Sequence, residues 1–273
     1  MTAFTEWTAD DAARHIAVPQ PDDDKYSRGV LGVITGSAQY PGAAVLGVEA
    51  ALHTGVGMVR YLGPSRAADL VLARRPEAVT SQGRVQAWLL GSGMDPVDRD
   101  VASMEPALAE GLPTVLDGGA LDLHDRTTAP VVLTPHYREL GRLLGVDPGD
   151  IAADPQRWAQ SAADDLGVTV LLKGHTTVIA GPGVALSVRS APAWLATAGA
   201  GDALGGILGA LVATRARQAV EDPRELARLA ATAAVIHGLA ASRASGGGPF
   251  TILDLCAAVR PTIAELVARL SPQ

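Results

Sequence analysis

One cysteine in 273 residues, Cys256, excludes a disulfide framework or a thiolate-built zinc site, and fits a reducing compartment. Aromatic residues are scarce at 4%, although hydrophobic residues make up 48%. A core so poor in rings must be filled by Ala, Val and Leu, as in helices packed on parallel strands. There is no Lys/Arg cluster and the formal net charge is −7, which argues against nucleic acid or an anionic membrane as the main partner. No secretory segment is evident, and the longest apolar run, Ala203 to Ala213, is too short to span a bilayer. A cytoplasmic protein without membrane attachment is expected. Internal repeats and low-complexity segments are also missing.

What the chain does have is alternation. Thr8 to Ile16 reads as a short helix capped by Thr8, with Asp11 closing the capping box, and polar Val18 to Ser27 follows as a linker. Residues 1–24 are thus expected to form a peripheral helical arm and linker, and residues 25–273 one domain. Val30 to Thr35 reads as a buried strand feeding the small-residue loop Gly36 to Gly42 and a helix from Ala43 to Thr54. The loop has neither the GK[ST] ending of a P-loop nor the GxGxxG spacing of a dinucleotide fingerprint, so neither label applies. Further strands are expected at Met58 to Leu62, Val85 to Leu90, Pro113 to Leu116, Val131 to Leu133 and Val168 to Leu172. Helices are expected at Ser65 to Arg74, at Val97 to Glu110 and through Leu140, Leu143 and Leu144. A hairpin follows, Val178 to Ala180 and Val184 to Val188 around Gly181-Pro182-Gly183. Glu225 to Ser245 reads as a long alanine-rich helix; Thr251 and Asp254 cap a last one that Pro261 kinks or restarts.

In an open parallel sheet, ligands collect beyond the carboxyl ends of the strands. Those ends carry Gly91-Ser92-Gly93, Asp117-Gly118-Gly119, Thr134-Pro135-His136 and Lys173-Gly174-His175-Thr176-Thr177. A strand-end lysine followed by glycine suits phosphate. His136 and Glu139, three apart at a helix start, can serve a ligand or a cap; without a third ligand nearby they do not make a zinc pair. Asp117 can be functional or cap the next turn, and His237, mid-helix among apolar residues, reads as structural. The rest is organised around Ala196 to Ala213, whose only charge is Asp202. The N–H groups of Gly199, Ala200 and Gly201, with the helix starting near Asp202, can hold an anion. A carboxylate beside such a site makes sense as a base for a nucleophilic hydroxyl. The same residues also fit a plain helix cap with glycines that permit close packing.

In order along the chain, Lys25-Tyr26-Ser27-Arg28-Gly29, GSAQYPGAA (36–44), HTGVGMV (53–59), GSG (91–93), LDGGALD (116–122), LTPHYRELGRLLG (133–145), LLKGHTTVIAGP (171–182) and ATAGAGDALGGILGAL (196–211) resemble the ADP/ATP-dependent (S)-NAD(P)H-hydrate dehydratase family. The likeness runs from about Lys25 to Leu270. It implies a ribokinase-like three-layer α/β/α sandwich with a mostly parallel sheet. It also implies a hydro-lyase that repairs NADHX and NADPHX by phosphorylating the ring hydroxyl and eliminating phosphate, with ADP favoured over ATP. Mg²⁺ is expected to be held largely by phosphates and water, with no metal site of the protein's own. The resemblance makes Asp202 the catalytic base and a substrate contact, and Ala43, Gly93 and His136 further substrate contacts. It assigns Lys173, Gly174, His175, Thr176, Thr177 and Gly201 to the nucleotide. Departures are Ala200 for serine, Tyr137-Arg138 for Pro-Gly, and GGALD for ADALN after Asp117, which leaves the roles of Asp117 and Asp122 open. A homotetramer and a separate epimerase as functional partner are implied as well. Two other readings share these residues: a small-molecule kinase of the hydroxymethylpyrimidine or hydroxyethylthiazole type, and a non-catalytic nucleotide-binding protein in which Asp202 is only a cap.

Overall fold

The computed structural model describes residues 3–270; residues 1–2 and 271–273, the outer ends of the expected arm and domain, lie outside the described residues. The chain begins with β1 (Thr5–Glu6) and α1 (Ala9–Arg14), then alternates β2 (Val30–Ile34), α2 (Gly42–Thr54), β3 (Met58–Tyr61), α3 (Ser65–Arg74), β4 (Ala87–Leu90), α4 (Glu105–Ala109) and β5 (Thr114–Leu116). A 3-10 segment, Gly118–Arg126, leads to β6 (Val131–Leu133) and three helices, α5 (Tyr137–Leu144), α6 (Pro148–Ala153) and α7 (Pro155–Leu166). Next come β7 (Thr169–Leu172), β8 (Thr177–Gly181) and β9 (Val184–Val188). The chain closes with α8 (Ala200–Thr214), α9 (Ala216–Glu221), α10 (Glu225–Ser245) and α11 (Ile252–Ala268).

The strands form one sheet in the order β1-β9-β8-β7-β6-β5-β4-β2-β3, in which β8 alone runs against the others. Its side chains alternate between two cores. Leu31, Val33, Leu89 and Leu171 face the layer of α2, α3, α8, α10 and α11, while Val30, Trp88, Leu90 and Leu172 face α4 and α7. This is the three-layer α/β/α sandwich, and its parallel strands are near-continuous apolar runs because both faces are covered. The aliphatic packing is tight: α8 crosses α2 where a side chain at Gly206 would run into the Gly47 carbonyl.

Four segments differ from expectation. The helix expected over Val97 to Glu110 shrinks to α4, because Pro106 fits only a first helical turn and so fixes where the helix can start. Pro261 does not restart the last helix: α11 runs unbroken from Ile252 to Ala268 with the proline inside it, and Ala257, whose carbonyl Pro261 cannot bond, is exposed. Helices α6 and α7 begin with proline after the aspartate caps Asp147 and Asp154. The arm is packed into the fold rather than peripheral. Thr5 and Glu6 extend the sheet beside β9, Ala12 and Ala13 of α1 are fully buried, and the Trp7 indole donates to the Thr232 hydroxyl at 3.2 Å.

Candidate active site

The parallel strands β2, β4, β5, β6 and β7 deliver their loops to one edge of the sheet. Gly36, leaving β2, donates its N–H to the Ser92 carbonyl at 2.7 Å, tying the GSAQYPG loop to the GSG turn after β4. Gly93 has a positive φ of 67°, and a Cβ there would collide with that of Ala43 in the first turn of α2. The two expected substrate contacts thus touch, and only glycine permits the approach.

Helix α8 starts opposite this turn. Gly199 caps it in the left-handed region at φ 91°, so the cap carries no side chain, and Asp202 lies within the first turn. The reading of Asp202 as a cap fails on that geometry. The Ala200 N–H is taken by the Thr197 carbonyl at 3.3 Å and the Ala203 N–H by Gly199, which leaves the N–H groups of Gly201 and Asp202 without a described partner at the positive helix end. Among the described residues no side chain hydrogen-bonds the Asp202 carboxylate. Burial, and next the charge of Asp117, push its pKa up to about 7, against the pull of Lys173.

Lys173 is one of two lysines in a chain whose other cationic side chains are arginines. Its Nζ donates to Asp117 Oδ1 at 2.9 Å, stands 3.6 Å from Glu139 Oε2, and lies 3.5 Å from where a Cβ on Gly201 would be. Burial alone would discharge Lys173, yet Asp117 and Glu139 hold its pKa above the ordinary lysine value. Asp117 is buried at the end of β5, and the Thr134 hydroxyl at the end of β6 donates to its Oδ1 at 2.7 Å. Burial works against its charge too, but Lys173 and Thr134 outweigh it and lower its pKa.

His136 caps α5: its Nδ1 accepts the Glu139 N–H at 3.1 Å, and Glu139 returns the bond to the His136 N–H at 2.8 Å. An accepting Nδ1 puts the ring hydrogen on Nε2, which faces outward from an exposed side chain. A bridge between His136 and Lys173, carried by the Lys173 N–H on the Pro135 carbonyl at 2.8 Å, sets the two residues side by side. The Lys173 to Thr176 turn joins β7 to β8, with His175 exposed and Gly174 covered by the Tyr137 hydroxyl, with which any side chain at 174 would collide. Tyr137 therefore lines the turn, a placement that the sequence signals only as a departure from the TPHPGE pattern. Asp122 is not brought to the site; it pairs with Arg99 at 2.7 Å. His237 of α10 is buried and held neutral, its pKa pushed down to about 4 by burial, and it borders the Ala200 backbone.

Among the described residues no group of three or more His, Cys, Asp or Glu side chains is arranged to hold a metal ion. Around Asp117 and Glu139 the neutralising charge is the Lys173 ammonium. A groove of about 590 Å³ bounded by Arg84, Trp88, Ala107 and Glu110 lies beside α4, away from Asp202.

The family model for NAD(P)H-hydrate dehydratase matches residues 31–252, a span that contains every one of these site residues. The chain belongs to that family. It is 46% identical over 219 residues to a bifunctional NAD(P)H-hydrate repair enzyme of Mycobacterium tuberculosis, covering 76% of this chain and 45% of the relative, so it spans about half the length of that protein. It is 35% identical over 212 residues to an ADP-dependent (S)-NAD(P)H-hydrate dehydratase of Neisseria meningitidis serogroup B, covering 70% of this chain and 72% of that one. The fold matches the crystal structure of an ADP/ATP-dependent NAD(P)H-hydrate dehydratase from Bacillus subtilis, co-crystallised with ATP and Mg²⁺, at a TM-score of 0.86 and 23% identity over 97% of this chain and all of that one. A ribokinase-like superfamily protein of Enterococcus faecalis superposes with a TM-score of 0.79 at 24% identity, over 96% of each chain. The architecture is ribokinase-like.

Proposed function

We propose that the protein is an ADP-dependent (S)-NAD(P)H-hydrate dehydratase, acting on both NADHX and NADPHX. The observation that carries this reading is the Asp202 carboxylate, half-buried and without a hydrogen-bond partner among the described residues, beside the free N–H groups of Gly201 and Asp202 and facing Lys173. The names of the relatives supply the substrate class. Hydroxide is a poor leaving group, and converting the ring hydroxyl to a phosphate ester removes that obstacle.

Asp202 accepts the hydroxyl proton as that oxygen attacks the terminal phosphorus of ADP, and AMP leaves. With a pKa of about 7, Asp202 sits at neutral pH close to the best compromise between availability and basicity. The N–H groups at the start of α8 and the Lys173 ammonium hold the charge that develops on the transferring phosphoryl group. The ring nitrogen lone pair then expels phosphate, and loss of the adjacent ring proton restores the dihydronicotinamide. Ala43, Gly93 and His136 are assigned to the hydrated cofactor, and Lys173, Gly174, His175, Thr176, Thr177 and Gly201 to the nucleotide. Magnesium would be held by the phosphates of the nucleotide and by water, where it would neutralise phosphate charge. We further propose a cytoplasmic homotetramer that works alongside an NAD(P)HX epimerase activity; light scattering reads the assembly.

The test mixes hydrated NADH, Mg²⁺ and either ADP or ATP with the protein and follows near-ultraviolet absorbance. Nucleotide-dependent recovery with release of inorganic phosphate is expected, larger with ADP. A stable phosphorylated product would instead indicate a kinase of the hydroxymethylpyrimidine or hydroxyethylthiazole type, and no recovery with either nucleotide overturns the assignment.

A further inference from the structure

The chain has four tryptophans, and three of them have structural partners. The Trp7 indole donates to Thr232, the buried Trp88 indole donates to Glu110 at 3.2 Å, and Trp158 packs against the core from α7. Trp194 is 53% exposed, belongs to neither core, and has no hydrogen-bond partner for its indole N–H among the described residues. Its ring face and its N–H are both open to a ligand. The fold holds this ring at the site edge of the sheet. Val188, the last residue of β9, pairs with Thr177, the first of β8, so the chain leaves the sheet beside the Lys173 to Thr176 turn. It then runs to the Gly199 cap of α8, next to Gly201. Residues 189–198 therefore join the two segments assigned above to the nucleotide, and Trp194 stands midway between them. The segment is fixed rather than loose. Ser190 Oγ donates to the Ala234 carbonyl of α10 at 3.3 Å, and Ser242 Oγ to the Ser190 carbonyl at 3.4 Å. After Pro192 a single 3-10 turn, Ala193–Leu195, sets Leu195 against the core and leaves the neighbouring indole outside.

We propose that Trp194 is a binding residue for the phosphate donor, its indole stacking on the purine base of ADP. The proposal rests on the assignment of the Lys173 to Thr176 turn and Gly201 to the nucleotide. Those residues supply charge, hydroxyls and backbone N–H groups, which suit phosphates and ribose rather than a flat base. An aromatic side chain supplies what they lack, because every base has a π-face and stacking needs no exact hydrogen-bond register. The hydrated cofactor is the less fitting occupant: its assigned contacts Ala43 and Gly93 lie further along the sheet, beyond the ends of β2 and β4, whereas Trp194 is on the β8 and β9 flank. A ring left in water contributes little to the packing of the folded chain, so its removal leaves both cores intact and its effect is read in binding.

The experiment is a calorimetric titration of wild type, Trp194→Ala and Trp194→Phe with ADP and Mg²⁺, without hydrated cofactor, and with inorganic pyrophosphate as a competitor that has no base. Expected are a rise in the ADP Kd on the order of tenfold in Trp194→Ala, recovery of most of that loss in Trp194→Phe, and equal competition by pyrophosphate in all three proteins. Tryptophan fluorescence should be quenched by ADP in wild type and not in Trp194→Phe. In turnover, Trp194→Ala should raise the KM for ADP by a similar factor while kcat at saturating ADP holds. An unchanged ADP Kd in Trp194→Ala overturns the proposal, and so does an equal loss of pyrophosphate affinity, which would mean that the two turns had been disturbed. A change of assembly in light scattering with ADP affinity intact also overturns it, since the ring would then be a contact between copies. Binding of ADP that depends on Trp194 in a protein that does not repair the hydrate would sink the dehydratase reading and leave this one standing; wild type that binds no ADP overturns both.

Discussion

Two carboxylates at opposite ends of the fold, Glu225 buried and Asp202 half-buried, are treated in opposite ways. Glu225, where α10 starts beneath the N-terminal arm, accepts from Arg215 Nε at 2.7 Å and pairs with His15 Nδ1 at 3.2 Å, with Arg228 within 3.6 Å. Despite burial, the bonds and charges of His15 and Arg215 bring its pKa down to about 2. Asp202, at the sheet edge, has no such bonds and is pushed up to about 7. A carboxylate that holds elements together is saturated with donors, whereas one left open is destabilised in its charged form and ready to take a proton. The contrast distinguishes stabilising charge from reactive charge without reference to any relative.

The sharpest way to break that contrast is to neutralise each carboxylate in turn. Asp202→Asn should lower turnover by on the order of a thousandfold, the range for loss of a general base, with kcat read against both nucleotides. Its effect on stability should run the other way. Because the folded pKa lies above the unfolded value of 3.8, the folded state holds the extra proton, and stability falls as pH rises from about 4 to about 7. The variant lacks that loss, so at pH 8 its Tm should exceed that of wild type by about 2–4 °C for each kcal/mol relieved, as measured by calorimetry.

Glu225→Gln should leave kcat and KM nearly unchanged but cost about 3–5 kcal/mol in denaturant unfolding, since Arg215 and its neighbours lose a buried counter-charge. The sign is again fixed by the shift: a lowered folded pKa stabilises above 4.5 and loses that contribution as pH falls towards 2. The gap between wild type and Glu225→Gln should therefore close across that window, and a gap of constant size would show that the ion pairs do not produce it. In the wild-type protein, kcat/KM should drop about tenfold per unit below about pH 7, the acid limb expected of Asp202 as base.

Smaller effects test how closely the nucleotide turn is packed. Gly174→Ala meets the Tyr137 hydroxyl and should raise the KM for ADP by roughly tenfold, or about 1.4 kcal/mol, with partial rescue in Tyr137→Phe. No change in KM would place that turn outside the nucleotide site.

The parallel sheet could be read from the residues because strands covered on both faces are unbroken apolar runs bounded by glycine. Gly199 to Asp202 was equally legible, since local geometry at a helix start depends on neighbours in sequence. Helix ends and long-range pairs were harder to read. Val97 to Glu110 has helical periodicity, but Pro106 and the tertiary packing override it. The union of Asp117 with Lys173 spans 56 residues and arises only because β5, β6 and β7 lie side by side, a fact of topology. One signal for it was present: a chain that otherwise uses arginine for its positive charges keeps lysine at only Lys25 and Lys173. The compact ammonium reaches both carboxylates, at 2.9 Å from Asp117 and 3.6 Å from Glu139, beside the start of α8.

The N-terminal arm has a consequence for how the molecule is made. The Trp7 indole must wait for Thr232, which is 225 positions further along the chain. The same holds for Thr5 and Glu6, which have no strand to join until Leu186 and Ser187 exist. Contacts of such long range form slowly because loop closure must come first. Until then the outer side of β9 presents unpaired backbone to any passing strand, the usual template for aggregation. Thr5 and Glu6 are therefore the last piece of the sheet to be placed, and they cover that edge of β9 once they join it.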